Sequence, residues 1–137
     1  MTTIIATRDG IYTDTLCSYS VPFKVRKHAK IGASIYAGAG DLDDLERFFQ
    51  WRREGGAPPS FEDGIDILEV CEEGIFIWGK KFIRLKINQD IYAAGSGAQY
   101  AMGALAAGCT PKQAIAIAAS LDTGTGLPIE FARLKRK

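Results

Sequence analysis

"MTTIIATRDGIYTDT" (residues 1–15) sets two short apolar runs on either side of Asp9-Gly10. Residues 3–8 and 11–15 read as two strands. An Asp-Gly pair between such runs signals a hairpin, because a type I′ turn needs positive φ at both central residues. Chain ends usually fray; this one is predicted to be built into a sheet, with a threonine directly after the start methionine.

Working outward, "VPFKVRKHAKIGASIYAG" (residues 21–38) suggests a second strand pair. Val21, Phe23 and Val25 alternate, Ile31 follows, and Gly32 turns the chain. At "GAGDLDDLERFFQWRR" (38–53) the period becomes helical through Leu42, Leu45, Phe48 and Phe49, with Asp41 as N-cap and acids in the first turn. "GGAPPS" (55–60) ends that helix as a loop. The runs "IDILEV", "GIFIWG" and "KFIRLKI" read as strands, with Gly74 and Gly79-Lys80 as turns. "IYAAGSGAQYAMGALAAG" (91–108) passes from a strand into a small-residue helix over 96–107. Thr110-Pro111 starts another as N-cap and N1, running through Leu121, and "LPIEFARL" is a last strand. Strands and helices arriving in blocks lack the alternation of a parallel sheet and predict an α+β layered sandwich of antiparallel strands.

The chain of 137 residues has the length of one domain, 1–137, with 47% apolar and 24% charged residues, as in an ordinary globular protein. A net charge of +1 supplies no field for nucleic acid or a membrane surface. The tail "RLKRK" reads as a solvated end. Three scattered cysteines, Cys17, Cys71 and Cys109, fit a reducing, cytoplasmic setting and form neither a disulfide framework nor a zinc site. The start lacks the pattern of a secretory signal, and no apolar run reaches the ~18 residues of a membrane span. With one histidine, His28, a Ser-His-Asp triad would rest on that residue alone.

Glycine turns raise the question of phosphate binding. "GSGAQY" holds two of the three glycines of G-x-G-x-x-G, and no G-x-x-x-x-G-K-[ST] occurs. "GAGD" before a helix is either a tight strand-to-helix turn or a set of backbone N–H groups open to an anion or oxyanion. Thr2 is either the first residue of a strand or something more reactive. Methionine before a small residue favours removal of Met1, and an N-terminal threonine carries nucleophile and base together: its hydroxyl attacks and its own α-amine accepts the proton. That amine, with a pKa of ~7.7–8.0, is suited to general-base work near neutral pH.

Four stretches then resemble the proteasome β-subunit family of N-terminal nucleophile (Ntn) hydrolases, in particular its HslV-type peptidases. They are "TTIIATRDGIYTDT", "KVRKHAKIGASIYAGAGDLDD", "IYAAGSGAQYA" and "AIAIAASLDTGTG", in the family's order and spacing. The resemblance implies a four-layer αββα sandwich and a threonine peptidase acting on peptide or unfolded polypeptide, without a cofactor or metal. It assigns Thr2 as nucleophile, and Lys27 as the lysine that tunes the amine, with Lys24 and Lys30 as competitors in register. It further assigns Asp14 as the partner of Lys27, the N–H of Gly40 as oxyanion donor, and Ser96, Asp122 and Thr125 as the groups orienting the Thr2 amine. A homo-oligomer and an AAA+ unfoldase partner belong to the same expectation. Against ring assembly of the usual kind, the stretch between residues 50 and 90 is short where the family carries a long second helix. Two rival readings are a catalytically inactive structural or binding subunit and a hydrolase of small amides.

Overall fold

The protein is described as a computed structural model over residues 2–18, 20–61, 65–79 and 83–135. The first hairpin forms as expected, from β1 (Ile4–Thr7) and β2 (Gly10–Thr13), but Thr7 pairs with Gly10, so the loop residues are Arg8 and Asp9. The expected Asp9-Gly10 turn is thus displaced by one residue. Gly10 is needed for a different reason: at φ 148° it opens β2, and a Cβ there would stand 2.0 Å from the carbonyl oxygen of Ala132. Ala132 lies in the final strand, here β11 (Glu130–Arg133), which presses against β2. The same displacement occurs between β7 (Ile65–Cys71) and β8 (Gly74–Trp78). There Cys71 pairs with Gly74 and the loop is Glu72-Glu73. The expected turn at Gly79-Lys80 falls partly outside the described residues.

One antiparallel sheet runs in the order β10-β1-β2-β11, where β10 is Ile91–Ala94. A second is the meander β5-β6-β7-β8-β9, with β5 (His28–Ile31), β6 (Ser34–Gly40) and β9 (Arg84–Ile87). A two-residue ladder joins β3 (Leu16–Cys17) to β4 (Phe23–Lys24). The alternation read at Val21, Phe23 and Val25 does not mark a buried face. Val21 and Phe23 are 78% and 44% exposed, and of the three residues only Phe23 enters the ladder, opposite the buried Cys17.

Strand periodicity sorts side chains to opposite faces. Ile4, Ala6 and Ile11 of the first sheet share one apolar cluster with Ile35, Ala37, Leu68 and Val70 of the second. On the other face of the second sheet, Tyr36, Ile67 and Trp78 meet Leu45, Phe48 and Phe49 of helix α1 (Leu42–Glu54). On the other face of the first sheet, Ile5 and Ala93 meet α2 (Ala98–Ala106) and α3 (Pro111–Leu121) through Ala101, Ala104, Ala114 and Ala118. Alanine at those positions lets the two helices sit close to the strands.

The helix ends follow from local chemistry. The Asp41 carboxylate accepts hydrogen bonds from the Asp43 and Asp44 N–H groups at 2.8 and 3.2 Å. Gly55, at φ 77°, closes α1 with its N–H on the Trp51 carbonyl. Thr110 and Gln113 form a capping box with Pro111 at N1. Helix α2 is two residues shorter at its start than the expected 96–107 span, since Gly95 to Gly97 are spent on a close approach described below. The basic tail is only partly solvated: Leu134 is buried and its N–H bonds the Asp9 carbonyl at 2.8 Å. Among the described residues, no second helix lies between α1 and β7, and no helix is long and apolar enough to cross a membrane.

Candidate active site

The glycines of "GSG" serve the N-terminal strand. Gly95 adopts φ 102°, and a Cβ there would lie 2.0 Å from the Thr2 carbonyl oxygen and 3.3 Å from Ala39 Cβ. A Cβ on Gly97 would meet Thr3 Oγ1 at 2.1 Å, and the Gly97 N–H donates to the Thr2 carbonyl at 3.3 Å. Side chains are excluded here so that Thr2 and Thr3 can be clasped. The turn "GAGD" is likewise closed to an anion at Asp43 and Asp44, whose N–H groups are taken by the Asp41 carboxylate. Gly40 ends β6 at φ 138°, next to Ala39, whose Cβ would lie 3.3 Å from a Cβ on Gly95.

Two arms converge on Thr2. In the first, Lys27 Nζ donates to Thr2 Oγ1 at 2.8 Å and to Asp14 Oδ1 at 2.9 Å. Asp14 follows directly on β2, its N–H extending the hairpin to the Thr3 carbonyl, and its carboxylate also accepts from the N–H groups of Thr3 and Gly126. Lys27 precedes β5 and is held by its carbonyl, which accepts from the Gly38 N–H. Both charges are sealed from water, Asp14 at 0% and Lys27 at 2% exposure, so each depends on the other and on these donors. Of the competing lysines, Lys24 turns its Nζ to the Leu127 carbonyl, and Lys30 is exposed on β5.

In the second arm, the Thr2 N–H donates to Ser96 Oγ at 3.1 Å, and Ser96 donates to Asp122 Oδ2 at 2.6 Å. Thr125 donates to the same oxygen at 2.7 Å and lies 2.8 Å from Thr3 Oγ1. Burial by itself would push the Asp122 carboxyl up. Hydrogen bonds from Ser96, Thr125 and the Gly124 backbone outweigh it and hold the group below its ordinary range, hence ionised at neutral pH. An ionised carboxylate only accepts. The protons of Ser96 and Thr125 are therefore both committed to Asp122, Ser96 can only accept from Thr2, and Thr3 must be the donor to Thr125.

Six of the seven residues expected from the sequence, Thr2, Asp14, Lys27, Ser96, Asp122 and Thr125, are thus joined in one hydrogen-bonded network. Gly40 stands beside it through Ala39. Sequence reasoning missed Thr3, which is fully buried and contributes to both arms. Its signal was a second hydroxyl beside Thr2, which strand propensity alone could explain. His28 takes no part in these bonds. It is partly buried with Nδ1 3.8 Å from Glu130 Oε1, and burial lowers its pKa below the usual range. Among the described residues no cluster of His, Cys, Asp or Glu is arranged to hold a metal ion.

No protein-family model and no curated protein matches the sequence. Solved structures do resemble the chain. BPH of Thiobacillus denitrificans is 19% identical with a TM-score of 0.78, the match covering 100% of both chains. The same protein in complex with epoxomicin matches at 19% identity and TM-score 0.75, over 98% of this chain and 99% of that one. Eukaryotic HslV from Trypanosoma brucei matches at 17% identity and TM-score 0.71, again over 98% and 99%. At such identities the agreement concerns architecture: the chain has the HslV-like fold along essentially its whole length.

Proposed function

We propose that the chain is a single-domain Ntn hydrolase of the HslV/proteasome β-subunit type, a four-layer αββα sandwich over 1–137, that hydrolyses amide bonds in peptides with Thr2 as nucleophile. The observation that carries this reading is the buried Lys27 ammonium, 2.8 Å from the Thr2 hydroxyl and paired with Asp14. A buried cation aimed at a hydroxyl lowers the cost of ionising it. Nothing in strand packing calls for such an arrangement.

Removal of Met1 turns the Thr2 amide into an α-amine. Ser96, with its own proton on Asp122, accepts from that nitrogen and leaves the nitrogen lone pair to face the hydroxyl. The amine takes the hydroxyl proton as Oγ1 bonds to the substrate carbonyl carbon, and the Gly40 N–H receives the developing oxyanion. Collapse breaks the C–N bond, and the proton held by the Thr2 amine passes to the departing amine. Water activated by the same α-amine then cleaves the threonine ester. The epoxomicin complex of the Thiobacillus denitrificans protein supports the reading, as a ligand-binding neighbour of the same fold. A homo-oligomer that receives unfolded polypeptide from an AAA+ partner in the cytoplasm completes the proposal.

Turnover of short fluorogenic peptides by the Met1-free chain, with simple amides alongside, tests it. Peptide cleavage abolished by Thr2→Ala is the expected outcome. Cleavage of simple amides alone would move the substrate class, and undiminished cleavage by Thr2→Ala would overturn the mechanism.

A further inference from the structure

A second polar site lies at the far end of β6. Gly40 closes that strand beside the Thr2 network and Ser34 opens it, about 20 Å away at 3.3 Å per residue. A cleft of about 590 Å³ opens there, walled by Tyr36 and Trp78 and ringed by Arg52, Arg53 and Arg84, with Glu69 at its base. That volume suits a small-molecule ligand.

The charges in the cleft do not balance. Glu69 is fully engaged: Oε1 accepts from Trp78 Nε1 at 3.0 Å and Arg84 Nε at 2.8 Å, and Oε2 from Ser34 at 2.6 Å and Arg84 at 3.2 Å. Arg84 neutralises it, which leaves Arg52 and Arg53 without a carboxylate in the cleft. Arginines in the last turn of α1 suit the helix dipole wherever they point. Arg52, however, folds away from the helix end. Its guanidinium carbon lies 5.7, 5.3 and 5.2 Å from the ring centres of Tyr36, Trp51 and Trp78, and Nε donates to the Tyr36 hydroxyl at 3.1 Å. Fixed in this way, its Nη groups have no protein acceptor among the described residues, and the Tyr36 hydroxyl keeps its own proton to donate. Planar guanidinium forks held by ring stacking are matched to oxyanions.

We propose that this cleft binds a small ligand through a phosphate or carboxylate group, held between Arg52, Arg53 and the Tyr36 hydroxyl. The site is independent of Thr2 chemistry and stands whether or not the chain is a peptidase.

Both tryptophans of the chain report on it, since Trp78 lines the cleft and its ring centre lies 5.9 Å from that of Trp51. Inorganic phosphate and succinate are titrated separately into the full chain, against sodium chloride at equal ionic strength, following tryptophan emission and Tm. A saturable emission change with a rise in Tm is expected from one or both, and which of them acts identifies the head group. Arg52→Ala/Arg53→Ala, at two exposed positions, should weaken the midpoint at least about tenfold, the loss of a charge-assisted hydrogen bond. Arg53→Gln alone, which leaves the tryptophan environment intact, should weaken it in the same direction. A response that does not saturate, that chloride reproduces, or that both variants leave unchanged would overturn the proposal.

Discussion

Lys27 and Asp14 are buried against each other, and a charge left buried without its counter-charge is expensive. Removing one member of such a pair typically costs about 3–5 kcal/mol. Lys27→Ala and Asp14→Ala should both fall near that range in urea unfolding. Asp14→Ala should be the worse of the two, because Lys27 would retain only the Thr2 hydroxyl, whereas an orphaned Asp14 keeps the Thr3 and Gly126 N–H donors. Thr3→Val removes one hydroxyl at constant shape and should cost about 0.5–1.5 kcal/mol, with Thr3→Ser restoring most of it in the same measurement. At this scale Thr2 was legible as a candidate from its place after a methionine, whereas Asp14 and Lys27 were reached only through the resemblance of their stretches to the Ntn-hydrolase family. Thr3 was hidden because its function depends on Thr125, 122 residues along the chain, and no local pattern reports that contact.

Glu69 shows how elements of the second sheet are tied together. From β7 its carboxylate takes hydrogen bonds from Ser34 on β6, Trp78 on β8 and Arg84 on β9, so one group spans four strands. Burial alone would raise its pKa, but the bonds from Arg84, Ser34 and Trp78 prevail and hold it below the ordinary 4.5. A folded pKa below the unfolded one stabilises the protein above 4.5, and the contribution is lost as pH falls through the folded value. Glu69→Gln should therefore lower stability at neutral pH by about 1–3 kcal/mol and flatten its decline from pH 4.5 downward, as read from denaturation midpoints across pH. Helices were the most legible elements, because Asp41 and the Thr110-Pro111 pair act within one turn of the chain. Turns were less so. Gly10 and Gly74 looked like turn residues, yet each opens a strand just after a two-residue loop, and Gly10 makes room for β11, a strand 120 residues later. Alternation at Val21 and Phe23 shows that a strand has two faces and says nothing about whether either is covered.

At the scale of the whole molecule, three apolar clusters hold two sheets together and fasten helices to their outer faces, and that scaffold brings residue 2 to residues 14, 27 and 96. Block order of strands and helices was enough to read the class of architecture. The order of strands within each sheet was not legible, because pairing β1 with β10 and β2 with β11 depends on partners far apart in the chain. Identities of 17 to 19% to structures of the same fold are consistent with this: most of the core asks only for apolar residues of suitable size, while the network around Thr2 asks for particular ones. The central claim is that Thr2 becomes the amino-terminal nucleophile. It is tested most directly by the intact mass of the purified protein before and after a threonine-reactive electrophile. The account predicts a chain lacking Met1 that gains one adduct, mapped to Thr2 and absent from Thr2→Ala. A chain that keeps Met1, or an adduct that persists in Thr2→Ala, would contradict it.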